Sequence, residues 1–402
     1  MIEPSARLVT GAASLSKPSV RSAMMIKVRV ISDSKELRDI RDLWDRFVDM
    51  QADDPNLLSA FVERSIELGR SDGWTPLLLM ILADEVIVGL APLLTKRKFG
   101  IRYARFVTST YFVASEGYRE ICVSRTLDYL FRALRCHFVR LTLPATSCYT
   151  TVLKHECHEK RIHLAQDEGT GQSIIAVKGT WDEFTRSRGK KFLQDIRRTE
   201  RNLGRMGLWR CLRVEGTDRS EGVFEQMTRI DSKSWKQRLR NRTGQALDEG
   251  LLSFWDGSRR AARTVANFRW HVWFLEVGGQ MVAFTLVLTY KGVAVVAKTS
   301  FDQEFARFGP GIYLMNVAIR GLFEERRVHK IDFISDVPFT RTWTSTGLRR
   351  IGFTMTSRTG ISRIVMSLFR GNAFGRAFRR RVLTLTFLFP RAVDVFPFLD
   401  LL

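Results

Sequence analysis

Long apolar runs are missing from this 402-residue sequence. Its continuous apolar stretches are as short as "MVAFTLVL" at Met281 to Leu288, far below the roughly 20 residues a helix needs to cross a bilayer, so no transmembrane helix is expected. Residues 1–25 also lack the apolar core of a secretory signal. They read as a disordered leader in which Glu3 is the lone acid, a composition shared by organelle transit segments. Cysteine is scarce as well. Five cysteines, Cys122, Cys136, Cys148, Cys157 and Cys211, form an odd set in a long chain without a signal, which argues against a disulfide framework and for the reducing cytosol. Four of them lie near His137, His155, His158 and His163, but no paired C-x-x-C occurs, and the block reads as ordinary core and surface rather than a zinc site.

Acidic residues are under-represented: 64 basic against 42 acidic side chains leave a formal net charge of +22. A field of that sign draws anionic partners, whether nucleic acid, an anionic membrane surface or the phosphates of a nucleotide cofactor, and does not choose among them. Between Arg186 and Arg213 ten basic residues face two acids.

The length fits two domains. The first, at 26–170, opens with the alternating strand "IKVRVISD" and an amphipathic helix capped by Ser34. Two strands around a turn at Ala83 to Glu85 follow, then the strand "RYARFV", a helix from Arg125 to Cys136 and the strand "RLTLPA". The second, at 171–360, opens with a strand, a Thr180 cap and a long basic helix. After the helix "VFEQMTRIDSKSWKQRLR", three strands joined by the turns "GGQ" and "YKG" form an antiparallel meander. A helix from "GPGIYL" and a strand "KIDFISD" close the unit. The segment at 361–402 is a basic amphipathic tail. From Ile361 to Pro390 it carries six arginines and no acid, suited either to peripheral contact with an anionic membrane or to packing on the domain.

The chemistry is carried by Arg307-x-Gly309-x-Gly311 between a strand and a helix starting near Pro310. Glycines let backbone amides approach a diphosphate, and the first N–H groups of the helix with its dipole favour an anion. Proline suits the first turn, and Arg307 can add a charge-assisted bond. A plain helix start has the same composition.

The setting resembles the GNAT superfamily, whose acyl-coenzyme A loop reads Q/R-x-x-G-x-G/A; here the arginine is one residue closer. The pieces "KKFLQDIRRTERNLGRMG", "VGGQMVAF", "FDQEFARFGPGIYLM" and "IDFISDVPFTRTW" resemble the CelD-like branch associated with cellulose and exopolysaccharide synthesis. That likeness spans about Gly179 to Trp343, with "VGLAPL" at Val88 to Leu93 extending it into the first half. The resemblance implies an α/β (α+β) fold of tandem GNAT-like domains, each a mixed, mostly antiparallel sheet flanked by helices, the first degenerate. It implies acetyl-CoA or another acyl-CoA as co-substrate, held by the strand residues Ala297, Lys298, Thr299 and Ser300 and by Arg307, Gly309, Gly311 and Ile312. Direct attack on the thioester needs a base, an oxyanion donor and a proton for the thiolate. Asp302, Glu304 and Asp332 are the candidate bases and Tyr313 the candidate proton donor. The branch's glycine and Tyr-Lys pair after the last strand are replaced by Asp336 and by Phe339, Thr340 and Arg341.

The expected function is a cytoplasmic acyl-CoA-dependent N- or O-acyltransferase, with a peripheral position at the inner face of the membrane as an option. Its acceptor would be a small polar metabolite, a sugar or a glycan precursor. Two alternatives remain open. One is a Fem-type transferase using aminoacyl-tRNA, which suits the charge but characteristically carries a coiled-coil hairpin that no heptad pattern supports here. The other is a non-catalytic binding module at an anionic membrane or polysaccharide synthase.

Overall fold

The computed structural model describes residues 24–98, 100–107, 111–215, 222–235 and 248–357. The tail and nearly all of the leader lie outside these residues, as does the basic run after Trp235. In the first half, strand β1 (Ile26–Ile31) is followed by helices α1 (Ser34–Asp39), α2 (Arg41–Gln51) and α3 (Ser59–Ser71). Asp33, not Ser34, caps α1, accepting from the N–H groups of Lys35 and Glu36. The expected single helix is two, divided at Ile40. Strands β2 (Thr75–Ala83), β3 (Val86–Lys98), β4 (Ile101–Phe106) and β5 (Val113–Ala114) lead to α4 (Arg119–Asp128), β6 (Phe138–Pro144) and α5 (Cys148–Glu159). Helix α4 starts earlier than its periodicity indicated and ends in a wide turn, where the Leu134 N–H donates to the Tyr129 carbonyl.

The long strand β7 (His163–Ala176) leads into α6 (Trp181–Ser187), α7 (Lys190–Gly204), β8 (Trp209–Glu215), α8 (Val223–Ser232) and α9 (Asp248–Thr264). Thr180 forms the anticipated cap: its hydroxyl accepts from the Glu183 N–H, and the Glu183 carboxylate accepts from the Thr180 N–H. The meander is β9 (Phe268–Val277), β10 (Gln280–Tyr290) and β11 (Val293–Phe301). Helix α10 (Pro310–Glu324), the short β12 (Lys330–Asp332), α11 (Pro338–Arg341) and β13 (Gly347–Thr356) complete the described chain.

Among the described residues the strands make one mostly antiparallel sheet in the order β1-β2-β3-β4-β6-β13-β7-β12-β11-β10-β9-β8, with β5 on β3. Strand β13 was not foreseen. It leaves the second half and inserts between β6 and β7 of the first, with Arg350–Thr356 against Phe138–Pro144 and Gly347–Thr356 against His163–Ser173. Glycine is required at 352, where a Cβ would run into the Asp167 carboxylate that receives the Arg140 guanidinium at 3.0 Å. The boundary expected near residue 170 falls inside β7.

Three cores cover the sheet. One face of the first half packs against α4 and α5, and one face of the second against α6, α7 and α10. The third is shared, with Trp44 and Phe61 from the first half meeting Trp255, Trp270 and Phe284 from the second. There α3 and α9 come so close that a Cβ at Gly257 would lie 2.7 Å from the Phe61 ring. Glu63, 1% exposed, receives Arg38 at 2.6 Å and Arg260 at 2.7 Å, tying the two helices by charge. No helix among the described residues is long and apolar enough to cross a membrane.

Two outcomes follow from this packing. Phe353 of β13 is fully buried in the first-half core, so Phe353→Ala should cost about 3–5 kcal/mol in urea unfolding; a loss below about 1 kcal/mol would show that the returning strand does not hold that core. His271 on β9 is 2% exposed, and burial, aided by Arg213, lowers its pKa to about 4. The unfolded chain therefore takes up this proton first, and stability should fall as pH drops from about 6.5 toward 4. His271→Gln should flatten that part of the wild-type profile.

Candidate functional site

The second half's sheet opens at one place. Strand β12 pairs in parallel with β11 only over Val293–Val295 and Lys330–Asp332, while its other edge pairs with Ile174–Ala176 of β7. Past Asp332 the backbone turns sharply. The Asp332 carboxylate accepts from the Ile334 N–H at 2.8 Å, and Ile334 adopts a φ of +62°, a left-handed conformation that a β-branched residue enters only under strain. Strand β11 continues to Phe301 on its β10 side. Its register shifts between Leu286 and Val287, leaving Ala297 as an extra, bulged residue. The diverging strands enclose a cleft of about 500 Å³.

One wall is Val296 to Phe301; the other is Phe333 to Ser335 with Val337, Phe339 and Thr340; Gly311 and Met315 of α10 form the floor and Trp235 the rim. Ala297, Lys298, Thr299, Ser300 and Gly311, all singled out in the sequence, are thus brought together. Lys298 on β11 and Asp302 just past its end reach the end of α8, with Lys298 Nζ 3.7 Å from Asp231 and Asp302 3.3 Å from Lys233 Nζ. Ser300 lies between them in sequence, 3% exposed, with no hydrogen-bond partner for its hydroxyl.

The glycine loop shapes the end of the cleft. Gly309 is left-handed (φ +69°), its N–H donates to the Ala306 carbonyl, and its own carbonyl accepts from Ile312 and Tyr313. Pro310 has no N–H to offer, so Gly311 carries the free donor of this helix start. A Cβ at Gly309 would come within 3.0 Å of Thr199 on α7, so that basic helix lies directly beside the loop. Arg307 is exposed and stacks 4.6 Å from the Phe308 ring. Ile312 is half-buried against the α10 core.

The four proposed proton carriers lie outside the lining of the cleft. Asp302, 2% exposed, caps the short helical turn Gln303–Phe308 by accepting from the Glu304 N–H, and Glu304 is exposed. Tyr313 meets Trp209 edge-on at 4.8 Å and lines a separate cavity beneath α7; burial raises its hydroxyl pKa. Asp332 lines a cavity of about 100 Å³ between the halves together with Asp53, Asp54, Tyr111 and Arg350. Burial raises its pKa and pushes Asp54 up to about 6.

Where the branch has its glycine and Tyr-Lys pair, Asp336 takes Arg341 at 2.9 and 2.8 Å and the Ser173 hydroxyl at 2.8 Å. These bonds, the guanidinium's first, hold its carboxyl at about 2. The substituted pair clamps the far wall to β7. Sequence reasoning missed the far wall itself, because Phe333, Val337 and Phe339 read as a strand end and a loop.

No curated protein matches the sequence. Among solved structures, FemX superposes with a TM-score of 0.57 at 11% identity, over 84% of this chain and 99% of its own. The C-terminal DUF2156 domain of a protein named for lysylphosphatidylglycerol synthetase, from Agrobacterium fabrum, gives 0.52 at 10% identity over 82% and 95%. A conserved protein of unknown function from Bacteroides thetaiotaomicron gives 0.51 at 13% over 82% and 100%. At these identities the likeness is one of fold, and it runs through both halves. Residues 190–337, which include the meander, the glycine loop and β12, match the family model described as "Acetyltransferase (GNAT) domain". The half of the chain that carries the cleft therefore contains a GNAT-family acetyltransferase domain.

Proposed function

We propose that the chain transfers an acyl group from acyl-coenzyme A, acetyl-CoA or a longer homologue, to an amine or hydroxyl of a polar metabolite, sugar or glycan precursor. The observation that carries this reading is the divergence of β11 from β12 after three paired residues, with the start of α10 at the end of the cleft. Six residues, Val296 to Phe301, present roughly 20 Å of strand edge along which an amide-bearing arm can pair with the main chain. The Gly311 N–H and the helix dipole would receive a phosphate at the far end. The resemblance to the CelD-like branch supports a glycan-precursor acceptor.

In this reading the acceptor's lone pair attacks the thioester carbonyl, a C–N or C–O bond forms, the C–S bond breaks, and the acceptor's proton passes through water to the departing thiolate. Backbone N–H groups at the Ala297 bulge would receive the oxyanion. Among the described residues no carboxylate lines the cleft, and the reading assigns no general base. The first half would be non-catalytic, since Phe112 packs on Phe106 at 4.8 Å and on Tyr149 at 5.7 Å beside the parallel pair β4 and β6.

A second reading, a Fem-type transferase using aminoacyl-tRNA, draws on one observation. Helix α7, which exposes Lys190, Lys191, Arg197, Arg198 and Arg201, packs its Thr199 beside a glycine loop that offers few amide donors. Titration of uncharged tRNA should then show affinity that falls steeply with salt; weak, salt-insensitive binding removes this option.

For the first reading, calorimetry with coenzyme A and with acetyl-CoA should detect binding, and silence from both at millimolar concentration would overturn it. Gly311→Glu should abolish that binding while the protein stays folded, because it sets a carboxylate where the phosphate would lie. Gly309→Ala, at a positive φ and 3.0 Å from Thr199, should instead cost about 1–2 kcal/mol of stability.

A further inference from the structure

The cleft has polar residues in its walls but presents an apolar surface. Thr299 donates its hydroxyl to the Phe284 carbonyl at 3.2 Å, Ser335 to the Phe333 carbonyl at 3.4 Å, and Thr340 to the Val337 carbonyl at 2.9 Å. Lys298 turns to the buried carboxylate of Asp231. The Ser300 hydroxyl is closed off from solvent. What remains facing the cavity is Val296, Phe301, Met315, Phe333, Ile334 and Phe339.

At the mouth stand Trp235, 49% exposed, and Val337, 42% exposed, two of the few large apolar side chains that the described residues leave to water. Leaving them wet forfeits the stabilisation that burial of such groups provides. An apolar cleft of about 500 Å³ is within the range of ordinary ligand sites. A pantetheine arm paired to the strand edge would cover the Val296 to Phe301 wall, and a two-carbon acyl group at its end would leave Phe333, Ile334 and Phe339 of the other wall largely uncovered.

We propose that the acyl group accepted here is an aliphatic chain of medium length or longer, laid between Phe333, Ile334 and Phe339 on one side and Val296 and Met315 on the other, with Trp235 closing over it. The proposal rests on reading the cleft as the acyl-donor site. Chain length is then selected by burial. Each methylene placed against these side chains contributes at most about 0.8 kcal/mol, which is about a 4-fold gain in affinity per methylene at 25 °C. The transfer chemistry is unchanged: the same C–S bond breaks, and the longer chain alters only how tightly the thioester is held.

The test is calorimetry of the full-length protein with coenzyme A and with its acetyl, butanoyl, octanoyl and dodecanoyl thioesters, each below its micelle concentration. Dissociation constants should fall along the series, with octanoyl-CoA at least 10-fold tighter than acetyl-CoA. Trp235→Ala, at a surface position that the core does not need, should weaken octanoyl-CoA several-fold more than coenzyme A. Phe339→Leu, which retains bulk, should keep most of the gain. Affinities that agree within about 3-fold across the thioesters, with coenzyme A bound, would overturn the acyl-chain proposal and leave the donor reading standing. If neither coenzyme A nor any thioester binds, both readings fail.

Discussion

Strand β12 is three residues long, yet it is paired on both edges, to β11 in parallel and to the end of β7 in antiparallel. Continuity of the sheet between the two halves passes through Lys330–Asp332, and so does the opening of the cleft. A longer β12 would pair further along β11 and close the gap; without β12 the second half would end in an open edge at β11. The chain enforces the stop locally, by the Asp332 carboxylate capping Ile334 and by the left-handed backbone there. That strain persists because the surrounding structure fixes both ends of the turn: β12 is held in the sheet, and Asp336 is tied to Arg341 and Ser173.

The same economy shapes the first half. Strand β7 serves two partners along its length, β13 over most of it and β12 at its last three residues. The first half's core thus contains Phe353 and Met355, supplied from beyond the second half's cleft. The α3–α9 contact with its Glu63 ion network adds a second tie. A buried carboxylate shared by several guanidiniums fixes register more than it adds net stability, because desolvation offsets much of the attraction. The two halves are therefore coupled mechanically by strands and set in register by charge.

Much of the second half is legible in its sequence because local signals agree. Thr180 with Glu183, the Gly278 and Gly279 turn, the Lys291 and Gly292 turn, and Pro310 at a helix start each specify backbone through their own chemistry. The strand residues of the near wall were legible for the same reason. Strand β13 was not, since "GLRRIGFTMT" has no meaning until a non-local partner is supplied; its Gly352 is explained only by Asp167 across the sheet. The catalytic assignments failed to converge for a related reason. Asp302, Asp332 and Tyr313 stand near the glycine motif in sequence, but one caps a turn, one faces the cavity between the halves, and one points to Trp209. Sequence distance to a motif says little about which face of an element a side chain occupies.

The electrostatics of the molecule and of its cleft point in different directions, and the difference has a use. A net charge of +22 and the basic helix α7 beside Gly309 act over about a Debye length and raise the local concentration of any phosphate-bearing donor. Inside the cleft, the charged or polar side chains of the wall are turned to protein partners or closed off, and the groups left to interact are backbone amides framed by apolar walls. Amides in such surroundings make stronger hydrogen bonds than they do in water, and fixed in a strand they need no reorganisation as charge develops on a carbonyl oxygen. Attraction at long range and stabilisation at short range are thereby assigned to different parts of the chain. On the reading proposed above, replacing arginines on α7 would alter how often a donor arrives, while altering the Ala297 bulge would change what happens to it once there.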